Sequence, residues 1–332
     1  MPLLLPAELH GSTRIDEVAT VTPDAEWARL VAAAGGSVFQ CGEWIEAWTE
    51  HFLTRGASAA RVAGTEAGAL RALAWLYGYA GDGRDRWLLA GSGIADRLEP
   101  LIDRNHRDAG AELLFDGLRR LARTAPVELQ QQSADSPLVE RARRGDCAIA
   151  PAEPCLVVNV QDGTGLDTIV EPGLARGIAY ARRRLGREGE WSIEDATPAT
   201  LHRILDRLFE LHGERWRARG EAGVLADARV RAFHRRVAER LLGRGLVLRA
   251  LQLNDAVIAC HYGFRTADRE LYYIGGFDPS CARLSPGVLL LADAFERTRA
   301  DGLTWLDLLR GREPYKYAWG AREEPHVQVH IG

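Results

Sequence analysis

The most regular pattern of hydrophobic and polar positions lies between residues 246 and 310. Leu246 to Leu253 is an apolar run that reads as a strand, Asn254-Asp255 is a tight turn, and Ala256 to Arg265 is a second strand. Thr266 to Arg269 turns the chain into a third strand, Glu270 to Gly276. After the loop Phe277-Asp278-Pro279 the pattern predicts a helix, with Ser285 as N-cap, Pro286 at the first helical position and Gly302 as the stop. Leu303 to Leu309 then reads as a mostly buried strand. The predicted order is three antiparallel strands, a crossing helix, and a strand parallel to the third.

Two helices precede this meander. Leu201, Ile204, Leu205, Leu208, Phe209 and Leu211 recur at helical spacing within 198–220, as do Val230, Phe233, Val237 and Leu241 within 227–244. The N-terminal half repeats the order: helices over Trp27 to Ala34 and Trp44 to Phe52, strands over Ala69 to Tyr79 and Arg86 to Gly91 around the Gly81-Asp82-Gly83 turn, a helix over Ala109 to Arg123 and a strand over Val127 to Gln131. An internal duplication explains this economically. A polar connector, Ser133 to Pro154, separates the halves, so two domains are expected, 1–153 and 154–332.

Composition narrows the class. With 332 residues, 46% hydrophobic and 27% charged, the chain is neither disordered nor fibrous and can bury a sizeable core. A net charge of −4 argues against a coat for nucleic acid, so DNA is not an expected partner. The clusters Arg182-Arg183-Arg184 and Arg235-Arg236 are the features that favour tRNA. No stretch approaches the ~18 apolar residues of a spanning helix, and Met1-Pro2-Leu3-Leu4-Leu5-Pro6 is too short and Pro-broken for a signal peptide, so a cytoplasmic protein without membrane insertion is expected. Five scattered cysteines read as reduced, mostly buried thiols, and their spacing suits no metal.

Of 42 basic residues a single one, Lys316, is lysine. A lysine that survives where arginine replaces every other basic residue suggests a need for its compact, tunable ammonium rather than a planar fork. If that need is chemical, Lys316→Ala and Lys316→Arg should leave the melting temperature nearly unchanged and lower turnover.

Several short motifs recur in a consistent order: Phe39, Trp44, Trp48 and Phe52 in a Phe-x4-Trp-x3-Trp-x3-Phe pattern; Leu88-Leu89-Ala90-Gly91-Ser92-Gly93-Ile94-Ala95-Asp96; Leu211-His212-x2-Arg215-Trp216-x3-Gly220; Gly276-Phe277-Asp278-Pro279; Leu284-Ser285-Pro286-Gly287; and Gly311-Arg312-Glu313-Pro314-Tyr315-Lys316-Tyr317-Ala318-Trp319-Gly320. With these motifs the chain resembles the CelD/BcsL-type branch of the GNAT acyltransferase superfamily, a tandem-GNAT group related to the Fem peptidoglycan aminoacyltransferases. The resemblance implies an α/β (α+β) protein of two tandem GNAT-like domains, each a mixed, mainly antiparallel sheet flanked by helices. It implies transfer of an acyl group from acyl-CoA, such as acetyl-CoA, to an amine or hydroxyl of a sugar, polysaccharide precursor or small metabolite, without a metal. The rivals are an aminoacyl-tRNA-dependent Fem-like transferase and a non-catalytic scaffold in exopolysaccharide assembly.

On this resemblance Ser285, Gly287 and Val288 mark the carrier-phosphate site, where free backbone N–H groups and the helix dipole attract an anion. The usual glycine-rich phosphate loop with its leading basic residue is absent. Asp278 follows the third strand and can serve as general base. Tyr272 and Tyr273 alternate, so one faces the cleft; Tyr273 is taken as the candidate acid. His261 reads as a buried, satisfied histidine. His212, Arg215 and Trp216 share one helix face and are expected to bind the acceptor, with Arg310 and Tyr315. Lys316 matches a lysine near the reacting centre of the Fem relatives, where a cation would stabilise an oxyanion or hold the carrier phosphate, oriented by Asp307 and Arg310.

Overall fold

The computed structural model describes residues 11–17, 23–53, 57–81, 83–218 and 220–332. Residues 1–6 and Asp82 of the Gly81–Gly83 turn lie outside the described residues. Among those described, the residues up to Ala152 other than Glu50–Phe52, together with Pro325–Gly332, form one compact unit; Glu50–Phe52 and Glu153–Glu324 form another.

The first unit contains β1 (Gly11–Glu17), α1 (Ala25–Ala34), α2 (Gly42–Phe52), β2 (Ala59–Glu66), β3 (Ala69–Tyr79), β4 (Arg86–Leu89), β5 (Leu101–Ile102), α3 (Arg107–Leu121), β6 (Val127–Ser133) and α4 (Pro137–Arg143). Its strands run in the order β1-β2-β3-β4-β6-β13, with β5 also on β3. The last member, β13 (Arg322–Ile331), is antiparallel to β6. The C-terminal segment, assigned on sequence to the second half, thus pairs within the first unit, where Val329 and Ile331 are buried. The Phe39–Trp44–Trp48 motif is packing: Phe39 meets Trp44 edge to face at 4.9 Å and all three rings are buried.

The second unit comprises β7 (Ala148–Asn159) from Glu153 onward, α5 (Leu166–Ile169), α6 (Pro172–Glu188), β8 (Trp191–Asp195), α7 (Leu201–Arg217), α8 (Ala228–Leu241), β9 (Leu246–Leu253), β10 (Ala256–Arg265), β11 (Arg269–Phe277), α9 (Pro286–Ala300), β12 (Trp305–Arg310) and α10 (Pro314–Ala318). Its strand order is β7-β12-β11-β10-β9-β8, antiparallel except for the parallel pair β11 and β12. The predicted meander, crossing helix and parallel strand are all present. The segment read as a polar connector is instead the end of β6, α4 and the first half of the long strand β7, which is exposed or half-buried up to Glu153 and buried from Pro154 to Val158; a half-exposed stretch with Pro and Glu carries little periodicity. The sequence reading also lacked β1, β2, β5, β8 and β13; of these β8 is short and half-exposed, which leaves little periodicity.

One face of the second unit packs α6 and α9 against Leu156, Val158, Leu251, Ala259, Leu306 and Leu308, with Leu289, Leu291 and Phe295 supplied by α9. Against α7 the strand β11 approaches so closely that a Cβ on Gly276 would lie 2.8 Å from the backbone nitrogen of His212, which requires glycine there. No described helix is long and apolar enough to cross a membrane.

Candidate active site

The crossover leaves a gap in the sheet of the second unit. β11 and β12 pair at Arg269–Trp305, Glu270–Leu306 and Leu271–Asp307, and beyond these positions the strands continue without pairing to each other. Tyr272 to Phe277 on one side and Leu308 to Arg310 on the other therefore border an opening between parallel strands, at whose end α9 begins.

β11 sorts its two tyrosines by face. Tyr272 stacks on His261, with ring centroids 3.9 Å apart and an interplanar angle of 14°. Burial raises its hydroxyl pKa, and neighbouring Tyr315 adds to the effect, so Tyr272 stays protonated. Tyr273 points the other way, into an aromatic cluster with His234 (5.7 Å), Phe264 (5.9 Å) and Tyr262 (6.2 Å). The tyrosine that shares an electrostatic environment with Arg215 and Tyr315 is Tyr272. His261 is fully buried, as expected, but is not satisfied: neither ring nitrogen has a hydrogen-bond partner among the described residues. Burial, with Arg249 and Arg265 nearby, holds it neutral.

The predicted acceptor-binding face lies on the last two turns of α7. Trp216 Nε1 donates to His212 Nε2 at 2.8 Å, which puts the His212 proton on Nδ1. That Nδ1 is buried without a partner among the described residues, and burial, reinforced by Arg215, lowers the His212 pKa to about 4. The imidazole is a neutral donor at physiological pH. Gly223, at φ 73°, lets the following loop cross the Trp216 ring at a distance no Cβ would allow. The Arg215 guanidinium lies 5.5 Å from the Phe277 ring centroid at the end of β11. Phe277 also borders α9, 3.5 Å from where a Gly287 Cβ would sit.

At the start of α9, Ser285 occupies the N-cap position in the left-handed conformation (φ 54°), and its side chain makes no capping bond. Its carbonyl accepts from Leu289 N at 3.1 Å. Pro286 has no N–H, and Gly287 and Val288 are half-buried. Asp278 caps the turn that leads there: Oδ1 accepts from Ser280 N (2.9 Å) and Ser280 Oγ (2.6 Å), while Oδ2 lies 3.6 Å from Arg207. Its carboxylate is thus engaged in ordering the Pro279–Leu284 turn.

Lys316 is buried, not extended into the opening. Its ammonium donates to the carbonyl oxygens of Leu309 (3.3 Å), Arg310 (2.7 Å) and Gly311 (3.3 Å) and lies 2.9 Å from Glu313 Oε2. Those carbonyls belong to a strained exit from β12: Leu309 is left-handed at φ 59°, and its N–H donates to the fully buried Asp307 at 2.9 Å. Asp307 and Lys316 thus both bond backbone groups of Leu309 in the same turn. Four converging oxygens suit a compact ammonium better than a planar guanidinium, which explains the one lysine without placing it against substrate. Arg310 and Tyr315 are exposed beside this turn.

Sequence reading missed Arg249 and Glu270, buried partners joined in a bidentate pair at 2.9 and 3.3 Å, with Arg265 also on Glu270 at 2.9 Å. Their signal was present: a charge at an inward position of an otherwise apolar strand. Of the arginine clusters, both members of the α8 pair meet carboxylates, Arg235 at Asp206 and Arg236 at Glu50, whereas on α6 Arg182 meets Glu296 and Arg184 donates to the carbonyl oxygen of Arg283. No cysteine is in a disulfide; Cys155 and Cys260 are buried and the other three are only half-buried. Burial pushes the thiols of Cys41 and Cys260 up to about 12. No group of His, Cys, Asp or Glu among the described residues is arranged to hold a metal.

Residues 174–317 match the family described as acetyltransferase (GNAT) domain. Among solved structures, FemX is similar over 95% of this chain and 97% of its own, with a TM-score of 0.68 at 11% identity. L-PGS from Bacillus licheniformis gives 0.60 at 11% identity over 94% and 93%, and a tandem GNAT protein from the clavulanic acid biosynthesis pathway gives 0.52 at 12% over 96% and 98%. At these identities the likeness is one of fold. No curated protein matches by sequence. The chain thus has the GNAT fold, and the GNAT acetyltransferase domain model matches it over residues 174–317.

Proposed function

We propose that the second unit is an acyltransferase whose reaction takes place in the opening between β11 and β12, with acyl-CoA as donor and an amine or hydroxyl of a saccharide or small metabolite as acceptor. The observation that carries this is the divergence of β11 from β12 beside the start of α9, with Arg215, Phe277 and Tyr272 grouped around it. Backbone N–H groups of Gly287 and Val288 would receive the carrier phosphate. Arg215, steadied on Phe277, would take an anionic group of donor or acceptor. As the acceptor's nitrogen or oxygen bonds the acyl carbon and the carbon–sulfur bond breaks, Tyr272, kept protonated by its surroundings, would give its hydroxyl proton to the leaving thiolate and recover one from the acceptor. Lys316 and Asp307 would hold the β12 exit against which the acyl group lies. A saccharide acceptor is what the CelD/BcsL resemblance implies.

A second reading, donation from aminoacyl-tRNA, is favoured by one feature: α9 starts without the glycine-rich loop that usually cradles the CoA pyrophosphate. Melting curves with acetyl-CoA and with aminoacyl-tRNA separate the two. A ligand at 100 times its dissociation constant should stabilise by about 2.7 kcal/mol. Stabilisation by acetyl-CoA supports the first reading and by charged tRNA the second; a response to neither leaves the scaffold.

A further inference from the structure

Several guanidinium groups on the helices of the second unit face carboxylates: Arg182 meets Glu296, and Arg297 meets both Asp195 (2.6 Å) and Asp293 (2.9 Å). At the end of α3 in the first unit the accounting differs. Arg119, Arg120 and Arg123 line an open groove of about 600 Å³, bordered also by Thr13, Asp116 and Gly332. None of the three arginines forms an ion pair among the described residues. Arg120 is instead anchored by donating to the Thr13 carbonyl oxygen at 2.7 Å, and Arg119 lies 6.0 Å from the Phe115 ring centroid.

A helix C-terminus offers roughly half a negative charge, enough to favour one nearby cation. Three guanidinium groups within five residues exceed that, and like charges so close repel one another. The surroundings add to the excess: α4 packs on α3, and its end carries exposed Arg143 and Arg144, also without ion pairs among the described residues. Asp116 is the single acidic side chain on the groove. With five guanidinium groups against Asp116 and the carboxyl group of Gly332, this remains a local surplus of positive charge in a chain of net charge −4.

We propose that this groove is a binding site for a phosphate-bearing anion with two or more negative charges, of the di- or triphosphate kind. Guanidinium forks match phosphate oxygens in pairs, and neighbouring forks suit an anion whose charges are spread over several centres rather than a single carboxylate. The volume falls in the range of roughly 300–1,000 Å³ usual for small-ligand sites. The site lies in the first unit and is independent of acyl transfer in the second.

The test is calorimetric titration of the full chain with inorganic tripolyphosphate at low ionic strength. Saturable one-site binding is expected in the wild type, weakened at least about tenfold in the double variant Arg119→Ser/Arg123→Ser. Part of the affinity should return in Arg119→Lys/Arg123→Lys. Both arginines are exposed, so melting curves of the variants should match the wild type. Arg183→Ser, on an exposed position of α6, should change the affinity by less than about twofold. Absence of saturable binding, or equal affinity in the serine double variant, overturns the site. Citrate binding as tightly as tripolyphosphate overturns the assignment to phosphate.

Discussion

Both units send a helix across between two parallel strands, yet the gap each crossover makes is used differently. In the first unit β4 and β6 pair at Trp87–Val127 and Leu88–Glu128. The space beside the end of β4 is walled by Trp27, Phe39, Ile45 and Trp75 and holds about 30 Å³, room for roughly one water molecule. In the second unit the strands β11 and β12 part beyond Leu271–Asp307, and Arg215 lies over Phe277 at the end of β11. Topology creates the gap, and side chains decide whether it is packed shut.

The comparison breaks most readily at the C-terminal strand. Removing Pro325–Gly332 strips the first unit of buried Val329 and Ile331 and leaves the edge of β6 open, at a cost of at least about 4 kcal/mol. Hydrogen exchange should show the first unit losing protection while β9 to β11 keep theirs. Equal protection in both units would mean that β13 is dispensable.

Lys316 sharpens the description of the second unit. The expectation from sequence alone, an unchanged melting temperature, does not hold for an ammonium buried among three carbonyl oxygens and a carboxylate. Lys316→Met should destabilise by about 2–4 kcal/mol, and Lys316→Arg should also lower the melting temperature, because a planar fork cannot face all of these oxygens. A melting curve for Lys316→Arg that overlays the wild type would return the residue to the substrate.

The tyrosines offer a finer discrimination. Once a transfer reaction is in hand, thiol release should fall about tenfold or more in Tyr272→Phe and change by less than about twofold in Tyr273→Phe. The reverse order would move the reaction to the face of β11 that carries the His234 cluster.

The smallest effect expected is on pH. Burial lowers the folded-state pKa of His212 to about 4, below its ordinary 6.5, so the unfolded chain binds the proton more readily. Its contribution to stability is complete above pH 6.5 and is lost as pH falls towards 4. The variant His212→Gln should flatten the melting temperature between pH 6.5 and 4 relative to wild type. An unaltered slope would mean that His212 titrates normally in the folded protein.

The sequence by itself determined the elements whose burial is periodic. The β9–β10–β11 meander, α9 and β12 show in the spacing of apolar positions, since each has one face or both against the core; Asn254-Asp255 marks its own turn by adopting left-handed φ values of 49° and 66°. The shared helix face of His212 and Trp216 was legible too, from their spacing of four residues. Tertiary structure alone decided which side of β11 each tyrosine took, because a bulge between Tyr262 and Gly263 shifts the register and alternation cannot count across it. It also decided the role of Lys316, since the carbonyl oxygens that surround it are backbone groups with no residue signature. And it placed β13 beside β6, a pairing between segments almost 200 residues apart that local periodicity cannot encode.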